Sequence, residues 1–192
     1  RPAARNDLPI ILAKVREGSS LVRGAIDGTM LRNDIYQFIR LGVFIERSDN
    51  TARHLSSRYN LFIPSENESV EGYPMLRFEM ILDAVGVMRA YKWVNKGQIE
   101  PDRVIKFLLN DPTMPRSLIF CYHDIVRQLT ALENEYGKTY EALNIAKKIQ
   151  SDLAITLKET LVHDDIINFT SSFIFENAQL SKLVEKEFKF NP

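Results

Sequence analysis

The sequence predicts an all-α fold, a bundle of about seven helices in one domain over residues 1–192. Three observations carry that prediction. Apolar residues recur three and four apart along almost the whole chain. Capping or breaking residues stand at the proposed joins. No segment alternates apolar and polar residues as a half-buried strand does; short β-branched runs such as Ile10–Ile11 sit inside helical periodicity. With 192 residues, 45% of them apolar, the chain can bury one sizeable core.

Asn6 and Asp7 are suited to cap a first helix, with Pro9 tolerated in its first turn. It should run to about Ile26, where Asp27–Gly28–Thr29 reads as a break. Asn33 caps a second helix from about Asp34 to Phe62. Its main stripe is Phe38, Leu41, Ile45, Ala52, Leu55, Tyr59 and Phe62. A second face begins apolar at Ile35, Ile39 and Gly42, so this helix should be central. Pro64 to Gly72 is a polar loop and the natural place for mobility. A third helix follows Pro74 and ends at about Asn95, where Lys96–Gly97 supplies a left-handed cap. Glu100–Pro101–Asp102 opens a short fourth helix that stops near Asn110. After a two-proline connection, a fifth runs from about Pro115 to Tyr136, broken at Gly137. A sixth covers about Lys138 to Leu161, and Asp164 or Asp165 caps a seventh that reaches about Phe188. The connections are short, which favours antiparallel neighbours.

The totals exclude several functions. Lys plus Arg and Asp plus Glu both number 25, so no global positive field exists to hold nucleic acid or an anionic membrane. Cys121 is the only cysteine, which rules out an internal disulfide and a multi-thiolate metal site and makes a reducing cytoplasm the default. There is no long apolar run to span a bilayer and no signal peptide. The usual nucleotide-binding and hydrolase motifs are absent, and no cofactor is expected. The chain opens Arg1–Pro2–Ala3–Ala4 without Met, as a processed product or a fragment would.

The most informative stretch is Gly42 to Arg53. At about 100° per residue, Glu46, Asn50 and Arg53 project from the face that starts with Ile35, Ile39 and Gly42. A polar trio continuing an apolar face is read either as a buried hydrogen-bonded network or as the floor of a binding site. Both readings expect Glu46 and Arg53 to be largely buried and paired. Leaving a buried Arg53 unpaired would cost about 3–5 kcal/mol. Arg47 lies on an adjacent face with Thr51 and His54. The second candidate is Asp111–Pro112–Thr113–Met114–Pro115–Arg116–Ser117, where Arg116 and Ser117 stand near a helix start that attracts anions, or else form part of a stiff turn. His54, His123 and His163 lack metal-motif spacing, and Cys121 among Ile119, Phe120 and Tyr122 reads as a small hydrophobe rather than a nucleophile.

These residues resemble the bacterial alpha-E family, all-helical proteins known for an E-R motif. The resemblance rests on Asp27–Gly28–Thr29–Met30, on Gly42 to Arg53 with Glu46–Arg47, Asp49 and Thr51–Ala52–Arg53, on Arg58–Tyr59 and the Tyr91 region, on Ile99–Glu100–Pro101, and on Phe107–Leu108–Leu109–Asn110 through Pro115–Arg116–Ser117. It extends from about Leu8 to the last helix. Relatives carry an earlier helix with a similar motif, which makes this chain look like the C-terminal portion of a longer protein. Where relatives have Ala after Glu–Arg, this chain has Ser48. The resemblance implies association with circularly permuted ATP-grasp proteins and peptidases, hence with a peptide-forming or peptide-modifying system.

Three functions follow as alternatives. The first is a helper or subunit of such a system that binds a peptide or amino-acid-like ligand through Glu46, Arg47, Asn50, Arg53 and Arg116. The second is a helical interaction scaffold, and the third an enzyme using Glu46 as acid or base. A bundle lacking one helix should also leave an apolar groove along the second helix or pair with a second copy.

Overall fold

A computed structural model describes residues 7–60, 73–156 and 163–190. Among these residues there are eight helices and no strand: α1 Leu8–Thr29, α2 Asp34–Asn60, α3 Tyr73–Val85, α4 Met88–Val94, α5 Pro101–Asn110, α6 Leu118–Tyr136, α7 Glu141–Thr156 and α8 His163–Glu187. The all-α expectation holds, with one helix more than the sequence suggested.

The extra helix comes from Gly86. Its φ of +76° ends α3, and the amides of Gly86 and Val87 donate back to the carbonyls of Asp83 and Leu82 at 2.9 and 2.8 Å. That is the left-handed glycine closure that satisfies the last carbonyls of a helix. One apolar period therefore spans two helices, and periodicity alone could not see the break. Lys96 and Gly97 both take positive φ after α4, as expected.

Other boundaries move for local reasons. Asp27–Gly28–Thr29 does not break α1, which continues through it. The Thr29 hydroxyl donates to the Ala25 carbonyl at 2.7 Å within the helix. Asp7 precedes α1 without a capping hydrogen bond from its side chain. Asn33 does cap α2, accepting from the Tyr36 amide at 3.3 Å. α6 begins at Leu118 rather than Pro115 because Ser117 caps it, its hydroxyl accepting from the Phe120 amide at 3.1 Å. α7 starts at Glu141, and its first amides, Glu141 and Ala142, donate to the Glu187 carboxylate at 2.9 and 3.0 Å. The polar loop from Pro64 to Gly72 and the expected helix ends at Phe62 and Leu161 lie outside the described residues, as do the side chains of Asp164 and Asp165.

α2 and α6 form the centre and pack on each other. α2 also meets α8 and α3, while α6 also meets α7 and α5. The core runs through Leu41, Phe44 and Leu55 of α2, Leu82 of α3, Leu108 of α5 and Tyr122 and Ile125 of α6, all essentially inaccessible. α2 is thus central, and through its expected main stripe, with Leu41, Ala52 and Leu55 buried and Phe38 and Ile45 packed against the core; the expected second face is the one that is not covered. Its buried side is Leu41, Phe44, Ser48, Thr51, Ala52 and Leu55, whereas Ile35 is 57% exposed and Gly42 and Glu46 face solvent.

α1 stands apart. None of its residues is buried, although Leu8, Leu12, Val15, Leu21 and Val22 are all more than half exposed. Its last turn is tied to α2 by Asp27, which accepts from the Tyr36 hydroxyl at 3.3 Å and pairs with Arg40 at 3.4 Å. No helix of the described residues is long and apolar enough to cross a membrane.

Candidate functional site

The Glu46–Arg47 pair splits across the surface of α2. Glu46 points to solvent, while Arg47 turns inward and is only partly exposed. Its Nη1 donates to the Pro115 carbonyl at 3.0 Å, and its guanidinium lies 4.8 Å from the centre of the Phe44 ring. One turn on, the buried Thr51 hydroxyl donates to the Arg116 carbonyl at 2.9 Å. Arg47 and Thr51 together fasten the α5–α6 connection onto α2.

That connection is itself rigid. Asp111 Oδ1 accepts from the amides of Thr113 and Met114 and from the Thr113 hydroxyl, at 2.8, 3.1 and 2.7 Å. The Ser117 hydroxyl donates to the Asp111 carbonyl at 2.5 Å. An aspartate holding amides two and three residues ahead is the usual chemistry of a tight turn. The segment is therefore a stiff turn, and it brings half-buried Arg116 close enough to Arg47 for the two charges to repel.

The trio fares differently. The expected burial of Glu46 and Arg53 is overturned: Glu46 is exposed, and the Arg53 side chain is 61% exposed, pairing with Asp49 at 2.6 Å across one helical turn. Asn50 is half-buried. The face that opens with Ile35 is a solvent face, because α6 and α8 cover the opposite one. An exposed i,i+4 pair contributes well under 1 kcal/mol, not the several kcal/mol of a buried one. The structure thus docks the 115–116 backbone on Arg47 and Thr51 and leaves Glu46, Asn50 and Arg53 on the neighbouring surface.

A buried network lies behind the site, and sequence reasoning missed it. Asn177 of α8 accepts at Oδ1 from the Ser48 hydroxyl at 3.1 Å and from the Tyr122 hydroxyl at 2.9 Å. Its Nδ2 donates to the Ile45 carbonyl at 3.2 Å. Ser48, Tyr122 and Asn177 are all buried, and burial raises the Tyr122 phenol far above its ordinary value. The network ties α2, α6 and α8 together one residue after the Glu–Arg pair. The one hint in the sequence is a small hydroxyl residue, Ser48, directly after the Glu–Arg pair.

Cys121 sits under the same turn, its Sγ 3.8 Å from the Pro115 carbonyl. Burial pushes its thiol up to about 12. Among the described residues no group of three or more His, Cys, Asp or Glu side chains is placed to hold a metal ion. Four clefts lined by described residues lie elsewhere. One of them, about 440 Å³, opens between α4 and α5 beside Arg103 and Lys106.

An all-helical bundle whose central helix carries one Glu–Arg pair, its arginine clamping the 111–117 turn onto that helix, defines the class. The chain belongs to the Alpha-E family, described as a predicted alpha-helical domain with a conserved ER motif, whose sequence model matches residues 3–188. Glu46–Arg47 is the one Glu–Arg dipeptide in the sequence. No curated protein and no solved structure matches the chain.

Proposed function

We propose that this chain is a helper or subunit of an ATP-grasp-linked system that forms or modifies peptide or amide bonds, and that it binds a peptide or amino-acid-like ligand on the α2 surface. The observation that supports ligand binding is the docking of the 111–117 turn on α2, which sets Arg116 beside Arg47. Glu46, Asn50 and Arg53 border them on the same helix. Amino acids and peptides carry an ammonium and a carboxylate. A surface offering one exposed carboxylate, an amide and several guanidinium groups suits both ends. The circularly permuted ATP-grasp partner rests on the family resemblance alone. The scaffold reading keeps one observation of its own, the uncovered aliphatic side chains of α1.

Co-expression of the chain with the circularly permuted ATP-grasp protein of its own genome tests the partner. Co-elution on size exclusion is expected. Separate elution at micromolar concentrations of both would overturn the helper role. Ligand binding is tested by amide chemical-shift mapping with short peptides, with shifts expected around residues 46–53 and 115–117 and none elsewhere.

A further inference from the structure

Arg40, Phe44, Arg47 and Thr51 follow one another along a single row of α2, spaced as neighbours on a helix surface are. The Arg40 and Arg47 guanidinium carbons lie 4.6 and 4.8 Å from the centre of the same Phe44 ring, so one aromatic ring carries two cations. The turn adds a third. Arg47 holds the Pro115 carbonyl and Thr51 holds the Arg116 carbonyl, which fixes the backbone on both sides of Arg116 against the row.

Charge balance along this row is uneven. The carboxylates gather at the Arg40 end, where Asp27 and Asp124 approach it at 3.4 and 3.8 Å, and Asp124 is shared with Arg127. Among the described residues no carboxylate pairs with Arg47 or Arg116. Arg47 spends one donor on the Pro115 carbonyl and keeps the rest of its five-donor fork free. Arg40 Nε is buried and has no acceptor. The Cys121 thiol, held neutral by burial, supplies no countercharge. Desolvation lowers the Arg47 pKa; Cys121 opposes that shift, and the neighbouring charges of Arg116, Arg40 and Arg23 reinforce it. Like charges brought together and partly dehydrated are relieved by an anion that accepts from their planar forks.

We infer that the Arg40–Arg47–Arg116 row binds an oxyanion, a carboxylate or a phosphate group, through Arg47 and Arg116. This deepens the proposal above and rests on its α2 surface being a ligand site: the recognised end of the ligand is its anionic end. The carboxylate of a peptide C-terminus and free phosphate share that chemistry.

Calorimetric titration separates them. The probes are a short peptide with a free C-terminal carboxylate, the same peptide amidated, and inorganic phosphate. The variant is Arg116→Gln, whose lost side chain makes no hydrogen bond that the turn needs. Amidation and Arg116→Gln should each weaken peptide binding roughly tenfold, the loss of about one charge-assisted hydrogen bond. Equal binding of the acid and amide peptides would overturn the anion inference and leave the peptide reading standing. Phosphate binding lost in Arg116→Gln, with neither peptide bound, would support the anion site and remove the peptide reading. Undiminished binding of every probe by Arg116→Gln would overturn the inference, and failure of all three probes to bind the wild type would overturn both.

Discussion

Asn177 holds two hydroxyls on one carbonyl oxygen, and the two are not equal in what they would lose. Tyr122 is buried and among the described residues has no other partner for its phenol, whereas the Ser48 hydroxyl also lies 2.9 Å from the Ile45 carbonyl of its own helix. Asn177→Ala should therefore strand the Tyr122 hydroxyl and lose the link to Ile45, costing about 2–3 kcal/mol, while Ser48→Ala should cost under about 1 kcal/mol. Urea midpoints at a constant slope check the pair; equal costs would show that the network is not centred on Asn177. Cys121 gives a pH signature. Its folded pKa, about 12, lies above the ordinary thiol value of about 8.5, so the folded state keeps the proton longer than the unfolded chain. Its contribution is complete below about pH 8.5 and is lost as pH rises toward 12. Unfolding titrations at pH 7, 9 and 10 should show stability falling, with a shallower fall in Cys121→Ala. An identical slope in the variant would remove Cys121 as the cause.

At the scale of the helix, two glycines should respond in opposite directions to the same substitution. Gly42 lies within α2 and an added Cβ there meets nothing within 4 Å. Gly42→Ala should stabilise the protein by about 0.5–1 kcal/mol, the difference in helix propensity. Gly86 also has open space around it, but its φ is +76°. Gly86→Ala should destabilise by about 1–2 kcal/mol through backbone strain alone. Thermal melts of the two variants read the sign directly, and a melting temperature that rises in both would mean that α3 and α4 can merge into one helix. The sequence could not order these effects, because the helical period runs through Gly86 without interruption.

At the scale of the whole molecule, α1 is the element that buries no residue among those described. Isolated helices are marginal in water, and most helical stability comes from packing an apolar face. Leu12 and Val15 are 57% and 63% exposed, and in a purified solution of this chain another copy is the available cover. Light scattering should give a mass above that of the 22.1 kDa chain, returning toward it in Leu12→Lys or Val15→Lys. A wild-type monomer at millimolar concentration would show that the face stays bare. The expected apolar groove was placed along α2, yet the larger uncovered apolar surface belongs to α1. Solvent also reaches Ile35 at the start of α2.

Local chemistry settled what depends on neighbours in sequence. Spacing of apolar residues determined that the chain is helical, and the pairings Asn33 with Tyr36 and Glu100–Pro101 with the start of α5 were readable because a cap acts within one turn. The Glu–Arg pair and the 111–117 turn stood out as candidates for the same reason. The buried side of α2 was readable in its Leu41–Ala52–Leu55 stripe, but its extension through Ser48 and Thr51 was decided only in three dimensions. Ser48 and Thr51 can share that buried side with Phe44 because Asn177 and the Arg116 carbonyl, distant in sequence, satisfy their hydroxyls. The sequence placed Arg47 and Arg116 in separate candidate motifs; the fold set them side by side, since a backbone carbonyl that accepts from a guanidinium leaves no trace in the identity of its residue.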